Sequence, residues 1–270
     1  MLRSARGADE VIAALGLERR HWPEIKQHGA VVGRLAVGGR TVPCYTPIGD
    51  YQAAILGSLL RYRELSLNIS TGSQVSLLRS GPEFGDYQTR PFFDGRYLAA
   101  ITHIPAGRAL TALVRLFSEL AEAQGLALSD PWSYVGQAAA AAGPTRMQAN
   151  LAFFNSSCGD HGAFTDVREE ELTIGHVFRA AFQNMTDNYS ACARRISPDQ
   201  EWENLVFSGG LAQKFPVLRD LICDRFGVPF RMCPSAEDTL LGLMALALAF
   251  TGRTATVAQA AVYLFDTYRE

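Results

Sequence analysis

Three short runs hold reactive residue types where a folded chain could use them. In Pro47-Ile48-Gly49-Asp50-Tyr51-Gln52-Ala53-Ala54 a carboxylate follows a glycine at the end of an extended stretch and opens an Ala-rich helical start. That position aims the carboxylate and suits it to accept a proton. In Asn68-Ile69-Ser70-Thr71-Gly72-Ser73-Gln74, hydroxyls and backbone N–H groups around a bend can cradle anionic oxygens. In Val206-Phe207-Ser208-Gly209-Gly210, paired glycines between a strand and a helix let backbone approach a flat ligand, and the helix start offers N–H groups. Moving a phosphoryl group onto an alcohol requires such parts: a group to take the hydroxyl proton and donors spread around the phosphate oxygens. Each run also has a plainer local reading. Asp50 reads as an N-cap, the second run as a hairpin turn and the third as a tight turn.

The elements that would position these residues follow from periodicity. Residues 8 to 16 read as a helix closed by Gly16, and Val31 to Val37 with Thr41 to Tyr45 as a hairpin around Gly38-Gly39. Tyr51 to Arg63 reads as a helix, Leu65 to Leu78 as a second hairpin bent at Thr71-Gly72, and Phe92 to Ile104 as extended pieces around Asp94-Gly95. Gly107 to Gln124 is an amphipathic helix with Leu110, Leu113, Val114, Phe117 and Leu120 on one face. Pro131 to Tyr134 and Ala138 to Pro144 read as a weaker helix and a loop, followed by a strand over Asn150 to Asn155 and a long helix from Thr173 to Ile196. The end alternates strand and helix: Leu205–Phe207, Phe215–Phe226, Val228–Cys233, Ser235–Thr251. Alternation of this kind predicts an α/β fold with a mixed sheet covered on both faces.

Bulk properties narrow the function classes. The 270 residues, 48% of them hydrophobic, suffice for one large domain, and a net charge of −2 offers no electrostatic footprint for nucleic acid or an anionic membrane. Five scattered cysteines lack zinc-site spacing and no secretory signal precedes them, so the expectation is a reduced, cytoplasmic protein without a tightly bound metal. The Asn-x-Ser/Thr triplets at Asn68, Asn155, Asn184 and Asn188 then read as chance matches. The longest apolar run, Leu240 to Phe250, is about half of the roughly 20 residues a membrane span needs.

In their order along the chain, the three runs resemble the second, nucleotide-binding domain of the FGGY-family carbohydrate kinases. The Asp50-Tyr51-Gln52 and Asn68-Ile69-Ser70-Thr71 runs are most similar to the sedoheptulokinase-like branch. Arg90-Pro91-Phe92-Phe93-Asp94-Gly95-Arg96, the Gly107 helix and Gly227-Val228-Pro229 also fall in family order, and the resemblance covers residues 31 to 250. It implies a ribonuclease H-like fold of the actin and sugar-kinase superfamily, with ATP and Mg2+ as cofactors and a ketose or polyol as acceptor. Asp50 would be the proton acceptor and, with Gln52, would touch the sugar. Ser70, Thr71, Gly72 and Ser73 would hold phosphate, and Gly209, Gly210 and Lys214 the nucleoside. The chain departs from the family at Ser70, where glycine is usual, at Lys214, where a small polar residue is common, and at His161, where the corresponding loop commonly carries arginine.

The family's first domain carries an early Asp-x-Gly-Thr turn, which occurs nowhere in this sequence. The resemblance therefore divides the chain into residues 1–45, the tail of a sugar-binding domain and its linker, and residues 46–270, the nucleotide-binding domain. The expected partners are ATP, a small sugar or polyol, an N-terminal kinase domain or separate chain that completes the cleft, and a second copy of the chain. The alternative is a non-catalytic nucleotide-binding or scaffolding module derived from such a kinase.

Overall fold

The computed structural model describes residues 9–24 and 26–268, which fall into two compact units, one through Asp50 and one from Tyr51. The first unit holds α1 (Asp9–Ala14) and an antiparallel hairpin of β1 (Val31–Val37) and β2 (Arg40–Tyr45). Gly38 and Gly39 both take positive φ at the hairpin bend, the conformation that favours glycine there. Val31, Val32, Leu35, Val37 and Val42 are all exposed.

Helix α2 (Asp50–Gly57) leads into the second unit, which continues with β3 (Glu64–Asn68), β4 (Ser73–Arg79), β5 (Gln88–Pro91), β6 (Tyr97–Ile104), α3 (Gly107–Ala123) and α4 (Pro131–Ala141). A small hairpin of β7 (Gln148–Asn150) and β8 (Ala163–Thr165) precedes α5 (Ile174–Ile196). Then come β9 (Asn204–Ser208), α6 (Gly210–Lys214), α7 (Pro216–Phe226), β10 (Phe230–Met232), α8 (Asp238–Phe250) and α9 (Val257–Thr267). Six strands form one sheet in the order β10-β9-β3-β4-β6-β5; β10, β9 and β3 run parallel and the other pairings are antiparallel. No helix among the described residues is long and apolar enough to cross a membrane.

One face of the sheet is largely apolar and the other also buries several polar side chains. Leu65, Leu67, Val75, Leu77, Leu205 and Phe207 pack with Phe178, Phe182, Met185 and Tyr189 of α5 in one core. Each fully buried large apolar side chain there contributes about 2 kcal/mol. The alternate positions on the same strands mix buried polar residues, Glu64, Ser66, Ser76 and Ser208, with the apolar Leu78 and Val206. Two of the polar four are tied to flanking or edge elements, Ser208 accepts from Asn68 Nδ2 of the neighbouring strand, and Ser66 Oγ has no partner among the described residues. Tyr51 of α2 meets Ser76 at 2.5 Å, and Arg231 of β10 donates to Glu64 at 2.6 Å.

Several local expectations need correction. Helix α2 stops at Gly57 instead of Arg63, because Leu59 takes a positive φ of 54°. The strand expected over Asn150–Asn155 ends at Asn150, where the Asn184 side chain takes the Leu151 N–H at 3.0 Å. Phe117 and Leu120 of α3 are exposed, and the buried stripe of that helix runs from Gly107 to Ser118 without them. Helix α4 is one continuous element with Asp130 capping Ser133 N at 3.0 Å. Helix α9 was not anticipated, although Thr256 caps it and the Asp94 carboxylate accepts the Ala258 N–H at 2.6 Å.

Candidate functional site

The paired ends of β3 and β9 carry most of the candidate residues. Asn68 and Ser208 stand opposite each other as the last residues of these parallel strands, and both chains then turn. Ile69 N donates to Ser208 O at 2.8 Å, and Leu211 N donates back to Ile69 O at 3.0 Å, so the two turns are stitched together. Gly209 makes this approach feasible. Its φ is 86°, and a Cβ there would stand 2.4 Å from Ile69 O. Gly210 differs: nothing lies within 4 Å of where its Cβ would be.

The turn after β3 is held from a third direction. Gly107 N donates to Ser70 O at 3.0 Å and Arg108 N to Thr71 O at 2.8 Å. Turn carbonyls thereby satisfy two of the first amides of α3, which has no side-chain cap. In a trans peptide the N–H points opposite to the preceding carbonyl. The amides of Thr71 and Gly72 therefore face away from α3, outward from the turn. Nothing lies within 4 Å of a Cβ position at Gly72, and Thr71 beside it is exposed.

Side chains beneath the turn form a polar hub. Asn68 Nδ2 donates to Ser208 Oγ at 2.9 Å and to Asp238 Oδ2 at 3.2 Å, while Ser70 Oγ donates toward Asn68 Oδ1 at 3.2 Å. Asp238, the first residue of α8, also accepts from Thr239 N at 2.7 Å. Burial pushes its carboxyl above the usual range. Sequence reasoning missed Asp238, Gly107 and Arg108 as neighbours of the turn; only the topology brings them there.

The remaining predicted residues are distributed unevenly. Thr71 is exposed on the turn, and Ser70 braces it from within. Ser73 does not join them: it is fully buried, and its hydroxyl meets Tyr189 Oη at 2.8 Å in the core, so it is removed from the set of phosphate-facing hydroxyls. The expected anion-binding helix start after Gly209 is also corrected. Helix α6 has five residues and its Leu211 N–H is already spent on Ile69. Lys214, exposed at the far end of α6, holds its ammonium 5.7 Å from the centroid of the Trp132 ring. Asp50 is the exposed first residue of α2. Gln52 lies half-buried in the same turn, next to Tyr51, whose ring is covered by the Arg90 guanidinium at 4.7 Å. His161 is exposed and bonded to Asp160 at 2.6 Å. A 640 Å3 cavity between β7 and α5 and a 360 Å3 one between α3 and α4 contain none of these residues. Among the described residues no group of three or more His, Cys, Asp or Glu side chains is arranged to hold a metal ion.

No protein-family model and no curated protein matches the sequence. Among solved structures, the chain is similar to a ligand-bound xylulose kinase from Lactobacillus acidophilus, with 15% identity and a TM-score of 0.73 over 94% of this chain and 54% of that one. It is similar to the gluconate kinase of the same organism, with 15% identity and a TM-score of 0.74 over 94% and 54% of the two chains. The glycerol kinase of Plasmodium falciparum with ADP matches at 15% identity and a TM-score of 0.65, over 87% of this chain and 49% of that one. The chain thus spans about half the length of these structures. What such low identities share is the fold: a mixed sheet flanked by helices, as in these kinase structures.

Proposed function

We propose that this chain is the nucleotide-binding half of an ATP-dependent carbohydrate kinase of the FGGY family. The observation that carries the reading is the convergence of three segments, Ser70–Gly72, Gly209–Gly210 and Gly107–Arg108, on the adjoining ends of β3 and β9. Open space at Gly72 and Gly210 fits a nucleotide, because phosphate oxygens and a flat nucleoside can lie directly against backbone at those two points. Mg-ATP, when bound, supplies the γ-phosphoryl group, with the metal held largely by phosphates and water. The Thr71 and Gly72 amides donate to phosphate oxygens, while Ser70 fixes the turn through Asn68. Gly210 lies against the nucleoside, with Gly209 setting the strand-to-helix geometry and Lys214 at the rim.

Asp50 takes the proton of the acceptor hydroxyl, and Gln52 orients that acceptor. A half-buried Tyr51 supports this role, since its bond to Ser76 fixes the first turn of the helix that Asp50 opens. The proposed acceptor is sedoheptulose or a related ketose or polyol, on the strength of the Asp50-Tyr51-Gln52 and Asn68-Ile69-Ser70-Thr71 runs. Because the chain spans about half the length of the kinases it matches, turnover is proposed to need a second domain, in the same polypeptide or as a separate chain. The exposed valines and leucine of the β1–β2 hairpin are apolar surface for it to cover. The boundary is placed between residues 45 and 46, and the site of action in the cytoplasm.

Titration with Mg-ATP of the wild type, Asp50→Asn and Gly210→Glu tests the reading. Equal binding by the first two and loss of binding by the third is the expected result. Wild-type affinity in Gly210→Glu sinks the nucleotide assignment. Sugar-dependent turnover on adding the complementary domain, lost in Asp50→Asn, separates a kinase from a non-catalytic module.

A further inference from the structure

Two thiols outside the candidate site are brought together by elements 34 residues apart in sequence. Cys192 lies on α5 and is 1% exposed, whereas Cys158 is half-buried in the tight turn from Ser156 to Gly159. Ser156 closes that turn by donating from N and Oγ to Gly159 O at 2.9 and 2.7 Å, and Cys158 N donates to Ser156 Oγ at 3.2 Å. Arg195 stands three residues after Cys192, on the same side of α5. Its Nη1 donates to Ser157 O at 3.3 Å and its Nη2 pairs with Asp86 at 2.9 Å, so the guanidinium ties the turn down onto the helix beside Cys192. In that arrangement Cys158 packs against the core cluster to which Cys192 belongs, and Ser157 Oγ is 3.8 Å from Cys158 Sγ.

We propose that Cys158 and Cys192 form a hydroperoxide-sensitive dithiol, with Cys158 the attacking thiol and Cys192 the residue that resolves its oxidised form into a disulfide. Exposure assigns the two roles: Cys158 is half-buried in a surface turn where a small oxidant can reach it, whereas Cys192 is 1% exposed. Cys192 beside it, aided by Ser157 and the Arg195 charge and opposed by burial, pulls Cys158 below the usual thiol range. The Cys158 neighbour and burial push Cys192 up. Burial raises Cys223 and Cys233 as well, which leaves Cys158 distinct from both.

In the first step the Cys158 thiolate attacks an oxygen of the hydroperoxide. An S–O bond forms, the O–O bond breaks, and the departing hydroxide or alkoxide takes a proton, leaving a sulfenic acid. Cys192 then gives its proton to the leaving hydroxide and attacks Cys158 Sγ. The S–S bond forms as the S–O bond breaks, and water departs. One hydroperoxide is reduced for two thiols oxidised.

Peptide mapping of the native chain tests both roles. With limiting iodoacetamide at neutral pH, Cys158 is expected to be alkylated about tenfold faster than Cys223 or Cys233. Hydrogen peroxide should remove the mass of two hydrogens and yield a Cys158–Cys192 cross-linked peptide. Cys158→Ser should abolish that product, and Cys192→Ser should stop the reaction at a sulfenic acid trapped by dimedone. Alkylation of Cys158 no faster than of Cys223, or peroxide oxidation that links other cysteines or none, overturns the proposal. The wild-type mapping decides this even if the buried Cys192→Ser variant fails to fold.

Discussion

Gly57 of α2 and Gly242 of α8 cross in direct backbone contact. A Cβ on Gly57 would stand 1.7 Å from Asp238 O, and one on Gly242 would stand 1.9 Å from Ala53 O. Backbone carbonyls cannot rotate aside as a side chain would, so either methyl must push the two helices apart. Gly242→Ala is therefore expected to cost at least about 3 kcal/mol, the upper range for overpacked sites. A urea midpoint equal to wild type would show that the helices separate freely. The same contact fixes the helices that begin at Asp50 and Asp238 against each other.

The two glycines after β9 should respond oppositely to alanine. Gly209→Ala forces a side chain into a left-handed conformation and against Ile69 O, so thermal stability falls and Mg-ATP binding falls with it. Gly210→Ala meets nothing within 4 Å and should keep the wild-type melting temperature, while weakening nucleotide binding by about tenfold, or about 1.4 kcal/mol. Melting curves and titrations on both variants separate the structural glycine from the ligand-facing one. Identical behaviour of the pair would contradict that division.

Glu64 supplies an acid-labile contribution to stability. Burial alone would raise its carboxyl, but hydrogen bonds from Arg231 and Arg61 outweigh burial and hold it at about 2, against an ordinary 4.5. A folded-state value below the unfolded one means that the stabilisation is complete above pH 4.5 and drains away as pH falls toward 2. The shift corresponds to about 3 kcal/mol. Glu64→Gln, which also strands the guanidinium of Arg231, should lower the unfolding free energy by about that much at pH 7. The gap between variant and wild type should narrow at pH 3. Parallel denaturation curves at both pH values would refute the assignment.

The sequence reveals the strands, the hairpin bends and the long α5 because they depend on local signals: alternation, glycine at positive φ, a threonine cap. It also marks Ser70–Gly72 and Gly209–Gly210 as special, since both combine small residues with a strand end. The polar hub escapes it. Asn68, Ser208 and Asp238 are separated by 140 and 170 residues, and none has a neighbour in sequence that announces a partner. Ser73 misleads for the same reason. Its place in a hydroxyl-rich bend suggests a ligand, and only packing shows that Tyr189 of α5 claims it. Helix α2 ends early through the backbone turn at Leu59, which an apolar residue type does not signal.

Asn68→Asp provides a test of the hub that a simple deletion cannot. The substitution keeps shape but places a second carboxylate at the 3.2 Å separation now bridged by the amide, beside an Asp238 already raised by burial. Two carboxyls so close cannot both ionise cheaply, so one holds a proton in the folded state with its value raised further. The sign then runs opposite to that of Glu64: a raised folded-state value favours the native form at low pH and is lost as a stabilising influence when pH rises through it. The deficit of Asn68→Asp relative to wild type should thus be small near pH 4 and grow as pH rises toward 7. Mg-ATP affinity should decline over the same interval, because repulsion between the two carboxylates displaces the side chain at position 68 to which Ser70 donates. A deficit independent of pH would place Asn68 and Asp238 out of hydrogen-bonding reach, and a stability loss without any change in affinity would detach the hub from the nucleotide turn above it.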